Sequence, residues 1–238
     1  MRRFALTAVL ATSCACALAV TQAEVMAGAE RLYRKRVAQL AQAYALDADA
    51  AFLARATRIA GVLIAQARRD YPDSAAWAWE IHTTTDPGES ASCMAGGKLM
   101  VGKPYVDGLR LDDAELAMLL SHEIAHATAY HNLKEFDEAL RLDPSWQERP
   151  FAQLEDAIDN DSALVATLSA LNFAQEAEAD REGLKLAWRA GWPAIRLANY
   201  YRKAARASGM ANFDSRTHPS PSSRWQAARE LAESLPAR

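Results

Sequence analysis

The chain predicts a mostly helical α+β fold, and three features of the sequence carry that expectation. Alanine is abundant while glycine supplies only 10 of 238 residues, which favours helix over most of the length. Between about residues 77 and 101 apolar and polar side chains alternate and turn residues intervene, the mark of a small sheet. Directly after that stretch comes an apolar helical run holding His122-Glu123-Ile124-Ala125-His126.

Taken in order, residues 24–46 and 49–69 read as two helices, broken at Leu46-Asp47-Ala48-Asp49, where an aspartate caps the second. Tyr71-Pro72-Asp73 ends that helix. Trp77, Trp79, Ile81 and Thr83 alternate with Ala78, Glu80, His82 and Thr84, which predicts a strand. Asp86-Pro87-Gly88 turns the chain, residues 90–95 suit a second strand, and Lys98-Leu99-Met100-Val101 a third after Gly96-Gly97. Asp112, with Glu115 three residues on, has the capping-box spacing that opens the motif helix. Residues 134–142 form a short helix stopped by Asp143-Pro144, with a polar loop over 146–150. A long helix spans about 161–190, halted by Gly191-Trp192-Pro193, and another spans about 194–207. After a loop over 208–220, Pro221 sits in the first turn of the last helix. No internal repeat interrupts the pattern, so residues 24–238 read as one domain.

The ends and the composition narrow the function. Met1-Arg2-Arg3, an apolar run to Val20 and small residues through Ala23 have the form of an export signal over 1–23, cleaved after Ala19 or Ala23. A second version is a lipoprotein signal over 1–13. Ala11-Thr12-Ser13-Cys14 loosely resembles its cleavage box, and a lipid on Cys14 would tether the mature protein to a membrane. Either way an exported, periplasmic protein is expected. No later apolar run suggests a transmembrane span. A formal charge of −3 points away from nucleic acid. Of 3 cysteines only Cys93 belongs to the folded body; it reads as a small buried residue and excludes a disulfide framework.

The motif carries the chemistry. Positions i and i+4 of a helix lie about 40° apart and about 6 Å along the axis, so His122 and His126 can grip one zinc ion with Glu123 beside it. A catalytic zinc site takes three protein ligands and a water, so a third ligand must come from elsewhere. Gln175-Glu176-Ala177-Glu178-Ala179-Asp180 on the long helix offers two i, i+4 pairs, Glu176 with Asp180 and Glu178 with Glu182. Spacing does not choose between them, and a solvated acidic face has the same pattern. His131 reads as a packing or supporting residue, and His82 as exposed.

His122-Glu123-Ile124-Ala125-His126, followed about 50 residues later by Glu176-Ala177-Glu178-Ala179-Asp180, resembles the HExxH … ExxAD pattern of the HtpX and CAAX-prenyl-endopeptidase family of zinc metallopeptidases, in its soluble periplasmic branch. The likeness extends to Gly96-Gly97-Lys98-Leu99-Met100-Val101, to Leu111 through Ala117, to His131, and to Thr217-His218-Pro219-Ser220 with Arg224. It covers about residues 75–230, four motifs in the same order. Ser92-Cys93-Met94 departs from the family's usual Asn-Ala-Phe. The resemblance implies a zincin-like domain with a small sheet beside the HExxH helix. It makes His122, His126 and Glu176 the ligands of one Zn2+, Glu123 the general base, and Asp180 the carboxylate that orients a ligand histidine. His218 becomes a residue that stabilises the oxyanion or occupies the water position, and Arg224 a support for that loop or for the intermediate. Lys98, Leu99, Met100 and Val101 become the edge that an extended substrate joins. The implied substrates are unfolded or misassembled envelope proteins or peptides; the competing reading is a latent zinc-binding domain with a chaperone-like or regulatory role.

Overall fold

The computed structural model describes residues 20–237. The export signal and Cys14 lie outside the described residues, apart from the last positions of the signal. Thr21 caps helix α1 (Gln22–Gln42) through a capping box with Glu24, and Asp49 caps α2 (Ala50–Asp70) by accepting from the Phe52 N–H. Helix α1 stops four residues short of the sequence expectation because Leu46 turns away to bridge Thr84. By length and mean hydropathy α2 passes as a membrane span. Its Ala56, Ile59 and Leu63 are nonetheless sunk in the protein core while Arg55 and Arg58 bind Asp113.

Three strands follow: β1 (Glu80–Thr84), β2 (Ala91–Met94) and β3 (Lys98–Gly102). Trp77 and Trp79 precede β1 rather than forming part of it. They stack on each other with centroids 5.3 Å apart, and the Trp79 indole donates to the Ser74 carbonyl at 2.9 Å, so aromatic packing produced their alternation. Gly96 and Gly97, both at positive φ, make the β2–β3 turn, a conformation that side-chain-bearing residues resist. The order is β1-β3-β2, with β3 parallel to β1 and antiparallel to β2.

That order overturns one expectation. Lys98, Leu99, Met100 and Val101 form the central strand, hydrogen-bonded on both sides and buried throughout, so they offer no edge to a substrate. Lys98 donates to the Ala78 carbonyl at 2.7 Å and pairs with Glu30 at 3.0 Å. An alternating pattern reports which face is buried but not which strand lies in the middle. His82 also departs from expectation: it is half-buried, with Asp47 2.5 Å from Nδ1 and Glu80 3.1 Å from Nε2.

Helices α3 (Lys103–Gly108), α4 (Asp113–Thr128), α5 (His131–Leu142), α6 (Phe151–Asn160), α7 (Ser162–Arg189), α8 (Ala194–Ala207) and α9 (Pro221–Ser234) complete the described chain. Neither α3 nor α6 is evident in the sequence, and residues 144–148 form a 3-10 turn instead of an open loop. Helix α4 is the axis of the fold, packed by α2, β2, α7 and α8. Leu116, Ala117, Met118, Leu120 and Ile124 are fully buried, and the α+β class expected from the sequence holds.

Candidate metal centre

Asp112 and Glu115 close the expected capping box on α4: Asp112 Oδ1 accepts from Ala114 N and Glu115 N, and Glu115 Oε2 accepts from Asp112 N at 2.8 Å. The helix then delivers His122 and His126 one turn apart. Across from them α7 carries Glu176 and Asp180, and the two helices touch at Gly183. A Cβ built there would lie 2.8 Å from His122 Cα and N and 2.9 Å from the Ser121 carbonyl oxygen, so only glycine permits this approach.

The approach brings the donors of three residues together. His122 Nε2 and His126 Nε2 are 3.1 Å apart, His126 Nε2 and Glu176 Oε1 are 3.1 Å apart, and His122 Nε2 and Glu176 Oε2 are 3.6 Å apart. A tetrahedron with bonds of about 2.1 Å has edges of about 3.4 Å, so these donors fit one zinc ion. They are the one such His, Cys or carboxylate triad among the described residues. Burial raises the Glu176 carboxyl, but His126, His122 and Arg224 outweigh it and hold the pKa at about 2, so the group is ionised. Its buried Oε2 accepts no aligned hydrogen bond and has only the Arg224 guanidinium at 3.1 Å beside it, which leaves room for a metal ion on the histidine side. Between the two carboxylate pairs that spacing left open, the fold turns Glu176 and Asp180 inward; Glu182 is drawn to Arg181 and Lys185 instead.

Each histidine has its own backing. Asp180 Oδ1 lies 2.9 Å from His122 Nδ1, an ion-pair distance outside hydrogen-bond alignment. The Tyr201 hydroxyl donates to Asp180 at 2.7 Å, and Arg224 donates to both its oxygens at 2.6 and 2.8 Å while also facing Glu176 at 3.1 Å. Burial works against ionisation of Asp180, yet His122 and Arg224 hold its pKa well below the usual range. Arg224 is therefore a clamp on the two acids of α7. His126 is backed by His131, with the Nδ1 atoms 2.9 Å apart and Glu178 3.4 Å from His131 Nε2. Tyr130, left-handed at φ 56, makes the turn that starts α5 at His131 and brings that ring back over α4.

Glu123 and His122 line one cavity of about 400 Å³ with His218 and Arg224. Burial raises the Glu123 carboxyl, against the pull of His122 and His126. His218 sits on the loop before α9, half exposed, with Nε2 3.6 Å from Glu176 Oε1 and Nδ1 2.7 Å from the Thr217 hydroxyl. Cys93 is buried in β2, and burial lifts its thiol pKa well up, which suits a packing residue. Sequence reasoning missed Gly183 and Tyr201. A lone glycine three residues beyond Asp180 inside a helix was a signal for the first; nothing local marked the second.

The model of peptidase family M48 matches residues 63–232, more than half of the chain. A putative beta-barrel assembly-enhancing protease of Vibrio cholerae is 32% identical over 142 residues, covering 52% of this chain and 28% of that protein. The beta-barrel assembly-enhancing protease of Yersinia pestis is 30% identical over 138 residues, with the same coverage of 52% and 28%. The mitochondrial metalloendopeptidase OMA1 of Arabidopsis thaliana is 30% identical over 152 residues, 60% of this chain and 29% of that protein. The matches thus span under a third of each relative's length.

Proposed function

The chain belongs to peptidase family M48, and from that premise we propose that it is a zinc-dependent endopeptidase. One observation carries the reading: two imidazole nitrogens and the two oxygens of one carboxylate gathered at distances that suit a zinc ion, with Glu123 next to them on a cavity wall. His122, His126 and Glu176 would hold the ion, which when bound supplies an activated water and a polarised scissile carbonyl. Glu123 takes the proton of the attacking water and returns it to the leaving amine. Its raised pKa makes it a stronger acceptor of that proton. Asp180 fixes the His122 ring, and Arg224 keeps Asp180 and Glu176 ionised and in place.

The substrates are unfolded or misassembled proteins of the cell envelope, met after export to the periplasm. The names of the two bacterial relatives, assembly-enhancing proteases, support this role. An extended substrate joins the sheet at β2, since β3 has no free edge. Purified mature protein should hold one zinc per chain and cleave reduced casein, with both lost on chelation and restored by zinc. Absence of bound zinc would refute the reading. Intact-mass measurement of the mature N-terminus separates a free protein from one lipidated at Cys14.

A latent state is favoured by one contact, His218 Nε2 lying 3.6 Å from a proposed ligand oxygen. His218→Ala should raise casein cleavage if this ring blocks the centre and lower it if the ring stabilises the oxyanion.

A further inference from the structure

The large cavity beside Glu123 has a composition of its own. Its walls bring together Leu119 from α4, Tyr105 from α3, and Tyr200 and Ala204 from α8, while Met210 and Phe213 stand at its rim, 64% and 67% exposed. The Tyr105 and Tyr200 hydroxyls bond to each other at 3.1 Å, so that wall demands no polar partner. Apart from Glu123, which faces the cavity as the proposed base, the charged groups of the lining are engaged: Arg224 with Asp180 and Glu176, and Asp214 with the Ser220 N–H at 2.7 Å. Two large apolar side chains held in water at the mouth of an apolar cavity have no role in packing the fold.

The direction of a substrate follows from β2. One edge of β2 is bonded to β3, and the other has no strand partner among the described residues. Ser90, just before β2, lines the large cavity. Met94 and Ala95 at its far end line a small cavity with Glu135 and Asp159, the acids that also flank His126. A chain antiparallel to β2, the stronger pairing, therefore runs from the His126 side towards the large cavity. Its residue after the scissile bond lies in that cavity.

On the reading of the site as a peptidase, we propose that the cavity of Leu119, Tyr105, Tyr200 and Ala204 selects bonds followed by a large apolar or aromatic residue. Met210 and Phe213 hold that residue at the rim. The site thus cuts inside apolar segments, which a folded protein buries and an unfolded one exposes.

The test digests a library of natural peptides with the zinc-loaded protein and reads the cleavage sites by mass spectrometry. Bonds followed by Phe, Tyr, Leu or Met should outnumber those followed by Gly, Ala or Asp by about tenfold, corrected for abundance. Ala204→Phe, or Ala204→Leu if the first variant misfolds, should reduce that ratio at least about fivefold by filling the cavity. Cleavage without preference after the bond, or with the preference before it, would overturn the proposal and leave the peptidase standing. If wild type and Glu123→Gln give identical peptide maps, the peptidase reading fails instead. The cavity is then judged by anisotropy, using a labelled Ala-Gly peptide with and without a central Phe. About tenfold tighter binding of the Phe peptide upholds the apolar cavity, and equal binding rejects it.

Discussion

His122 and His126 stand one turn apart on one helix and face one point, yet they are held by opposite means. Behind His122 lies a buried carboxylate, Asp180, fixed by a guanidinium and a phenol, with α7 pressed against the helix at Gly183. Behind His126 lies a second imidazole, His131, backed by Glu178, whose side chain is 38% exposed. Burial and the neighbouring His126 keep His131 well below its usual pKa, so it is neutral at pH 7. Asp180 and Glu176, the two acids of α7 facing the first histidine, both pair with Arg224, whereas Glu135, beyond the second, has no ion-pair partner among the described residues. One histidine is clamped by charge and the other steered by a neutral ring. Metal affinity should therefore depend far more on the Asp180 side.

The largest effect expected is for Asp180→Ala. It leaves Arg224 buried beside Glu176 alone and frees the His122 ring, so unfolding free energy should fall by about 3–5 kcal/mol. Zinc affinity should fall by about 10–100-fold. Denaturant titration and competition with a zinc chelator read the two quantities, and an unchanged affinity would erase the contrast between the histidines. Next comes Gly183→Ala. Its methyl meets backbone rather than a yielding side chain, so it should destabilise by about 1–3 kcal/mol despite alanine's better helix propensity. Zinc affinity should drop with it, because Glu176 and Asp180 move off the histidines.

On the weaker side, His131→Phe removes the partner of His126 Nδ1 while keeping a ring, and should weaken zinc binding by about tenfold. Glu178→Gln, 3.4 Å from His131 at the surface, should change it by less than about threefold. The absorption spectrum of the cobalt-substituted protein should shift with His131→Phe and stay fixed with Glu178→Gln. The smallest effect concerns stability. Burial raises Glu135 from 4.5 to about 7, so between those values the folded protein retains a proton that the unfolded chain has released. Stability therefore falls as pH rises through that window. Glu135→Gln should be more stable than wild type at pH 8 and no more stable at pH 4, as thermal melts at both values will show.

Much of this centre was legible in the sequence because its parts are local. The spacing of His122 and His126 and the capping box at Asp112 are each set within a single helix, whereas spacing offered Glu176–Asp180 only beside Glu178–Glu182 and the resemblance chose between them. What escaped is what two elements decide together. Sheet order placed Lys98 to Val101 in the middle rather than at the edge, and no periodicity encodes that. Gly183 matters only because α4 lies against it, and Tyr201 only because α8 turns it towards Asp180. His131 was visible as a histidine near the motif, but its place behind His126 depends on the left-handed turn at Tyr130.

The central claim is that these residues form a zinc centre in which Glu123 moves the proton. Zinc content and casein cleavage measured together on wild type and Glu123→Gln test it most directly. The variant should keep one zinc per chain, since Glu123 lies outside the three-residue donor group, and cleavage should fall by about 10²–10⁴-fold. Full cleavage by a zinc-loaded Glu123→Gln protein would contradict the account.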